Sequence, residues 1–139
     1  MTASAKNWLP RLAALGAALL GVFLLLGAWG HLQAVAQAVW SDGIEPTPRR
    51  WTLILPAAIL ATAGLVNLAA SKPLWSGSGP SLYAALAGNG LTLAYLLFLL
   101  VTGVPGHPVG LFTSLVVCEF LVLVAVRAGL RWPAQQSPA

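Results

Sequence analysis

Charged side chains are scarce in this sequence, and their scarcity decides its class. Only seven lysines and arginines and three acidic residues occur, so 7% of the 139 residues carry charge. A soluble globular domain contains roughly 25% charged residues, which is more than this chain can place on a surface. Disorder is excluded too, because disordered chains are poor in apolar residues and this chain is 58% hydrophobic. The composition predicts one small integral membrane protein.

Cysteine is nearly absent, and so are the motifs of enzymes. The single Cys118 excludes an internal disulfide framework and any zinc or iron–sulfur site built from several cysteines. Because it lies within the apolar run VVCEF, it is predicted to be a small buried side chain. The sequence has no nucleotide-binding glycine motif, nucleophile elbow, HExxH motif or acidic cluster for magnesium. We therefore expect no enzyme activity, no catalytic residues, no cofactor and no metal.

The basic residues do not form a patch, although the formal net charge is +4. A nucleic-acid-binding protein gathers its basic side chains on one face or stripe. Here each one lies at or beyond the end of an apolar run, at Lys6, Arg11, Arg49, Arg50, Lys72, Arg127 and Arg131. This placement is typical of membrane topology, and no nucleic-acid partner is expected.

Long uncharged runs make up most of the chain. Crossing a hydrocarbon core about 30 Å thick takes about 20 apolar residues in a helix. Four runs come close to that length, at residues 12–30, 52–70, 82–103 and 109–126. Strands are not expected, because an isolated strand leaves backbone groups unpaired in lipid and the runs lack a barrel's alternating pattern. The sequence predicts an all-α bundle of four transmembrane helices, a single domain over 1–139, with a flexible tail at 133–139.

Tryptophan and the basic residues indicate where the spans end and how they are oriented. All six tryptophans lie outside the spans or at their rims, as expected for residues at the level of lipid headgroups. With both termini in the cytoplasm, five basic residues lie inside and only Arg49 and Arg50 lie outside. Because positive residues favour the cytoplasmic side, we expect both termini there.

The start of the chain allows two interpretations. A basic N-terminal segment, an apolar stretch and the small residues at 34–36 resemble a secretory signal with its cleavage site. The apolar stretch is longer than in such signals, and the helical pattern continues beyond it, with Leu32, Val35 and Val39 on one face. We therefore expect an uncleaved first helix that extends to about Trp40.

Small residues recur at helical spacing on three of the spans. Helices in lipid pack through such residues, because they let two backbones approach closely. The predicted packing positions are Ala13, Ala17 and Gly21 on the first span, Ala57 and Ala61 on the second, and Ala84 and Gly88 on the third. These stripes predict a compact bundle and are compatible with a homo-oligomer.

Glu119 is the one charged residue within a span, and it lies near the middle of the fourth run. A charged group at that depth costs about 2.5–3.5 kcal/mol, so it has to be partnered, protonated or open to water. No basic residue lies at the same depth. We therefore expect a protonated Glu119 that donates a hydrogen bond.

Other polar residues lie close to Glu119 in depth. At a rise of 1.5 Å per residue, Thr92 is level with it, and Asn89 and Tyr95 lie about one turn away on either side. We predict an intramembrane polar cluster of Glu119, Thr92, Asn89 and Tyr95, with Asn67 at its edge. One interpretation is a hydrogen-bonded network that holds helices together. The other is a proton or substrate site.

The two histidines do not have the spacing of a metal site. His31 and His107 both fall on the predicted outer side, together with Asp42 and Glu45. Zinc sites usually combine closely spaced ligands in recognisable motifs, and no such spacing occurs here. Both histidines are predicted to lie at the membrane interface without binding a metal or haem.

These observations lead to two functional hypotheses. The first is a structural or accessory subunit of a membrane complex in a bacterial inner membrane, with the lipid bilayer and a larger membrane protein as partners. The alternative is a proton-linked small-molecule transporter or a channel-like oligomer that uses Glu119. Four short spans with one membrane glutamate resemble small multidrug-resistance transporters in outline, although that family carries its glutamate on the first span, which is uncharged here.

Overall fold

The computed structural model describes residues 3–43, 48–102 and 109–131, and nearly all of them are helical. Four helices follow one another: α1 (Ala3–Asp42), α2 (Pro48–Trp75), α3 (Gly79–Thr102) and α4 (Val109–Arg131). Each contains a stretch that is long and apolar enough to cross a membrane. The prediction of four such helices is confirmed. The tail at 133–139 lies outside the described residues.

The helices form an antiparallel bundle. Each helix packs on its neighbours in the chain, and α4 packs back on α1. Arg11 near the start of α1 meets Trp75 at the end of α2, and Tyr83 near the start of α3 meets Arg127 near the end of α4. Short connections between consecutive helices favour this up-and-down arrangement. We name the end that holds these four residues the arginine end.

The helix boundaries differ from the sequence-based spans at the α2–α3 connection. α2 continues through Lys72 and Pro73 to Trp75, where a loop was expected. Gly77 then adopts a positive φ of 78°, and its amide and that of Ser78 donate to carbonyls of the last turn of α2. A left-handed glycine directly after a helix ends it in this way, so the connection is a tight turn.

The interior consists of two apolar clusters stacked along the bundle. The cluster nearer the arginine end includes Ala13, Ala17, Leu74, Leu82 and Leu123. The cluster nearer the opposite end includes Leu20, Leu24, Leu60, Leu96 and Val116. The two clusters are separated by a layer of buried polar residues, which forms the candidate site described below.

Most predicted packing positions lie between helices, with one exception on α3. Ala13 and Ala17 are fully enclosed, Gly21 and Ala57 are buried, and Ala61 and Gly88 are half-buried. Ala84 is exposed, so it does not pack between the helices of this bundle. The buried line of α3 passes one position further round the helix, through Leu82, Ala85, Asn89, Thr92 and Leu96. The small-residue spacing alone did not show which side of α3 faces its neighbours.

Candidate functional site

Four polar side chains lie in one layer across the middle of the bundle. Asn67 and Asn89 are completely buried, Thr92 is 1% exposed and Glu119 is 6% exposed. Buried polar groups require hydrogen-bond partners, because removing them from water without compensation is costly. The hydrogen-bond partners of each side chain show whether the layer is satisfied within the protein or could bind another molecule.

Asn67 and Asn89 bind each other across the α2–α3 interface. The Asn67 side-chain amide donates to Oδ1 of Asn89 at 2.8 Å, and the Asn89 amide donates back to Oδ1 of Asn67 at 3.1 Å. Asn67 Nδ2 also donates to the carbonyl of Ala63, one turn earlier in α2, at 2.9 Å. The pair is thus satisfied within the chain, and it joins two helices in the manner expected of polar contacts between membrane helices.

Thr92 and Tyr95 do not complete a cluster with this pair. The Thr92 hydroxyl donates to the carbonyl of Gly88 in its own helix at 2.8 Å. Tyr95 is half-buried and lines a separate pocket at the end of the bundle that is opposite the arginine end. Of the predicted five-residue cluster, the structure joins only Asn67 and Asn89 directly by hydrogen bonds.

Glu119 lies at the level of the asparagines but points to a different neighbour. Its carboxyl group packs against Gly16 of α1, so closely that a Cβ built on Gly16 would come within 2.9 Å of Glu119 Cδ. The carboxyl group therefore occupies the space that the missing side chain leaves. Glu119 Oε1 is buried and has no hydrogen-bond partner among the described residues. The hydrogen bond from Glu119 to Thr92 or Asn89 that depth suggested is not formed there, because Glu119 points toward α1.

A groove on the outer surface of the bundle leads to Glu119. It has a volume of about 280 Å³ and runs between α1 and α4. Its base is formed by buried or half-buried residues, namely Gly16, Leu20 and Glu119, and exposed side chains flank it. The flanking exposed residues are Leu12, Leu19, Phe23 and Cys118. Cys118 was predicted to be buried; it lies beside the groove instead, because the α1–α4 contact leaves this part of α4 uncovered.

A second pocket of about 280 Å³ lies between all four helices, at the end of the bundle that is opposite the arginine end. Its lining is mostly apolar, with His31 and Tyr95 as its titratable members. The predicted outer-side residues His107 and Glu45 lie outside the described residues, and so does the Asp42 side chain. Within the described ranges, no group of three histidine, cysteine or acidic residues is close enough to hold a metal ion.

Two arginine–aromatic contacts at the arginine end were not anticipated from the sequence. The guanidinium of Arg11 lies 5.5 Å from the centre of the Trp75 ring, and that of Arg127 lies 4.4 Å from the centre of the Tyr83 ring. Such cation–π contacts each contribute about 0.5–1 kcal/mol at exposed sites. The signal was present in the sequence, because basic and aromatic residues flank the same ends of consecutive spans. One contact links α1 to α2 and the other links α3 to α4.

Comparison with models of protein families, with curated proteins and with solved structures finds no match for this chain.

Proposed function

We propose that this protein is a multi-pass protein of a bacterial inner membrane that acts as a structural or accessory subunit of a membrane complex. The proposal places both termini in the cytoplasm, together with the arginine end of the bundle. The four long apolar helices and the excess of basic residues at that end support this orientation. Catalysis, cofactors and nucleic acid have no part in the proposal.

The observation that carries the proposal is the carboxyl group of Glu119. The other buried polar side chains of the layer satisfy one another or their own helix, as the Asn67–Asn89 pair does. Glu119 Oε1 has no partner within the described residues, and it lies beside a groove on the outer surface. An unsatisfied polar group at mid-membrane depth is costly. A subunit that is completed by another membrane protein would resolve that cost.

The alternative is a proton-linked transporter or channel-like oligomer, and one feature favours it. Glu119 is an intramembrane acid, and such residues often mark proton pathways. A transporter also needs access for water or substrate from both sides. The groove that reaches Glu119 has mostly apolar walls and opens on the side of the bundle, which favours contact with a helix or with lipid over a conducting path.

The proposed function is tested by isolating the tagged protein from its native membrane in a mild detergent. We expect it to migrate as part of a larger assembly, with another membrane protein present at a fixed ratio after crosslinking and washing. A protein that elutes only as a monomer or as a homo-oligomer would contradict the accessory role. Proton flux into vesicles containing the purified protein, abolished in Glu119→Gln, would favour the alternative.

A further inference from the structure

The groove between α1 and α4 contains a buried acid, Glu119, one of whose oxygens finds no hydrogen-bond partner among the described residues. Glu119 is more than nine-tenths buried, and its Oε1 atom lacks a hydrogen-bond partner in the described part of the chain. Transferring such a group from water to an apolar environment without a hydrogen bond is unfavourable. In a membrane, water cannot readily supply the missing bond. A partner from outside the chain would supply it.

The shape of the groove limits what that partner can be. The exposed residues Leu12, Leu19 and Phe23 of α1 flank it on one side, spaced so that they follow one face of the helix. Leu115, Cys118 and Val122 of α4 line the other side. A volume of about 280 Å³ accommodates one or two side chains. It therefore suits a neighbouring helix that inserts a side chain between α1 and α4.

The acid at the base of the groove favours a basic side chain as its partner. Acidic and basic groups are both costly at the centre of a membrane-spanning helix, and intramembrane ionisable groups commonly pair with one another. Lysine combines a compact charged head with a flexible apolar stem. Its stem can pack between leucine side chains while its head reaches the carboxyl group at the base of the groove.

A second copy of this chain does not provide such a group. Its basic residues lie at or beyond the ends of the spans. Arg127 is the nearest to Glu119 along α4, and eight residues of helix place it about 12 Å away. Its guanidinium stacks on Tyr83, and its Nη1 atom is buried, without a hydrogen-bond partner among the described residues, so it is not open to a second copy. A homodimer would leave Glu119 without a cation at its own depth.

We propose that the α1–α4 groove is the docking site for a transmembrane helix of another membrane protein, and that a lysine near the middle of that helix binds Glu119. This inference rests on the proposed accessory function and specifies where and how the partner is bound. Gly16 is part of the site, because the absence of a side chain there gives the carboxyl group its place beside α1.

The test uses the full-length protein in lipid vesicles and two synthetic peptides. Both peptides are leucine–alanine helices of about 20 residues, one with a central lysine and one with a central leucine. Fluorescence energy transfer between labelled protein and labelled peptide gives the dissociation constant as a peptide-to-lipid ratio. We expect the lysine peptide to bind about tenfold more tightly than the leucine peptide, a difference of about 1.4 kcal/mol. Equal binding of the two peptides would overturn the proposal, whatever the variants do.

Two variants locate the binding site. In Glu119→Gln the preference for lysine should disappear, because the amide carries no charge. In Ser114→Ala, which changes an exposed residue of the same helix whose hydroxyl bonds only the carbonyl of Gly110, the preference should persist. A preference that survives in Glu119→Gln would overturn the proposal, and circular dichroism of each variant establishes that the helices are intact.

The outcomes separate this inference from the function on which it rests. If the native assembly forms equally with Glu119→Gln, the partner binds elsewhere; the docking inference then fails while the accessory function stands. If the protein is found alone in its native membrane, the accessory function fails, even where the lysine peptide binds. Energy transfer between two labelled copies that is lost in Glu119→Gln and that the lysine peptide does not reduce would identify a second copy as the occupant and overturn the inference.

Discussion

Gly21 of α1 and Gly64 of α2 bring their backbones into direct contact. A Cβ atom built on Gly21 would lie 2.9 Å from the carbonyl oxygen of Gly64, and one built on Gly64 would lie 2.9 Å from that of Gly21. The contact is reciprocal and involves main-chain atoms, which cannot move aside as the end of a long side chain can. It explains why α1 and α2 pack so extensively, since small residues let membrane helices approach closely.

We expect Gly21→Ala to destabilise the bundle by about 1–3 kcal/mol, as overpacking of an interior does. Gly30→Ala is the matched control, because it lies on the same helix and a Cβ there would meet nothing within 4 Å. Its stability should equal or exceed that of the native protein, since alanine favours helix over glycine. Unfolding by sodium dodecyl sulfate in mixed micelles measures both. Equal stability of the two variants would show that the helices can separate freely at Gly21.

On α3, an added side chain at Gly88 would meet less steric hindrance than one at Gly21. A Cβ there would lie 3.2 Å from Cγ1 of Val66, and a groove of about 220 Å³ between α2 and α3 lies beside it. We expect Gly88→Ala to cost less than Gly21→Ala, because a valine methyl group can shift and a carbonyl cannot. Gly88→Leu should weaken the bundle by about 1–2 kcal/mol by pushing α3 away from α2. The same unfolding assay applies, and an unchanged Gly88→Leu would mean that the leucine enters the groove without strain.

The Asn67–Asn89 pair should behave as a coupled unit. Replacing either residue by leucine leaves the other amide buried without its partner, at an expected cost of about 1–2 kcal/mol. The double replacement should cost less than the sum of the two, with a coupling energy of about 1 kcal/mol. A double-mutant cycle in the unfolding assay measures this. Thr102→Val removes an exposed hydroxyl of α3 and serves as the control, with a stability expected within about 0.5 kcal/mol of the native value. If the two leucine replacements were strictly additive in unfolding free energy, the coupling would be refuted.

Glu119 should tolerate loss of its polar group in the isolated protein. A glutamate bonded to Thr92 or Asn89 would make Glu119→Leu more harmful than Glu119→Gln. The structure reverses that order, because Oε1 has no partner to lose within the described ranges of the chain, whereas glutamine would still bury an unsatisfied amide. We expect Glu119→Leu to be at least as stable as Glu119→Gln in detergent. A loss of more than about 1 kcal/mol in Glu119→Leu alone would indicate a hydrogen bond within the chain.

Topology gives a fifth prediction. Arg11 and Arg127 lie at the same end of the bundle, where each stacks on an aromatic ring. Positive residues favour the cytoplasmic side, so reporter fusions after Ala139 should be active in the cytoplasm and fusions near Asp42 should be active outside. A fusion after Ala139 that is active only outside the cytoplasm would reverse the orientation.

Helix positions could be predicted from the sequence, because the length of an apolar run is a one-dimensional property. The direction in which each helix faces could not be predicted as well. Ala84 fits the small-residue spacing and is nevertheless exposed, since two adjacent stripes of α3 carry small residues and only packing selects between them. The absence of a polar face in these spans removes the usual signal for which side is buried.

For the candidate site, too, positions along the helices could be predicted and side-chain neighbours could not. Counting residues along antiparallel helices placed Thr92 level with Glu119 and Asn89 about one turn away, and the structure buries all three side chains. Depth does not determine which neighbour a side chain meets. Glu119 turns toward α1 because Gly16 leaves space there, and no pattern in the sequence distinguished Gly16 from the other glycines of the first span.

The composition of the groove also has a consequence for the order of assembly. Its base joins Gly16 of the first helix to Glu119 of the fourth, so ribosomal synthesis has to pass through α4 before the groove exists. Because the N-terminal part of a chain is made first, the first three helices precede Glu119 and cannot offer its carboxyl group to a partner during that time. A protein that recognises Glu119 beside Gly16 would therefore select finished bundles and ignore nascent or truncated chains.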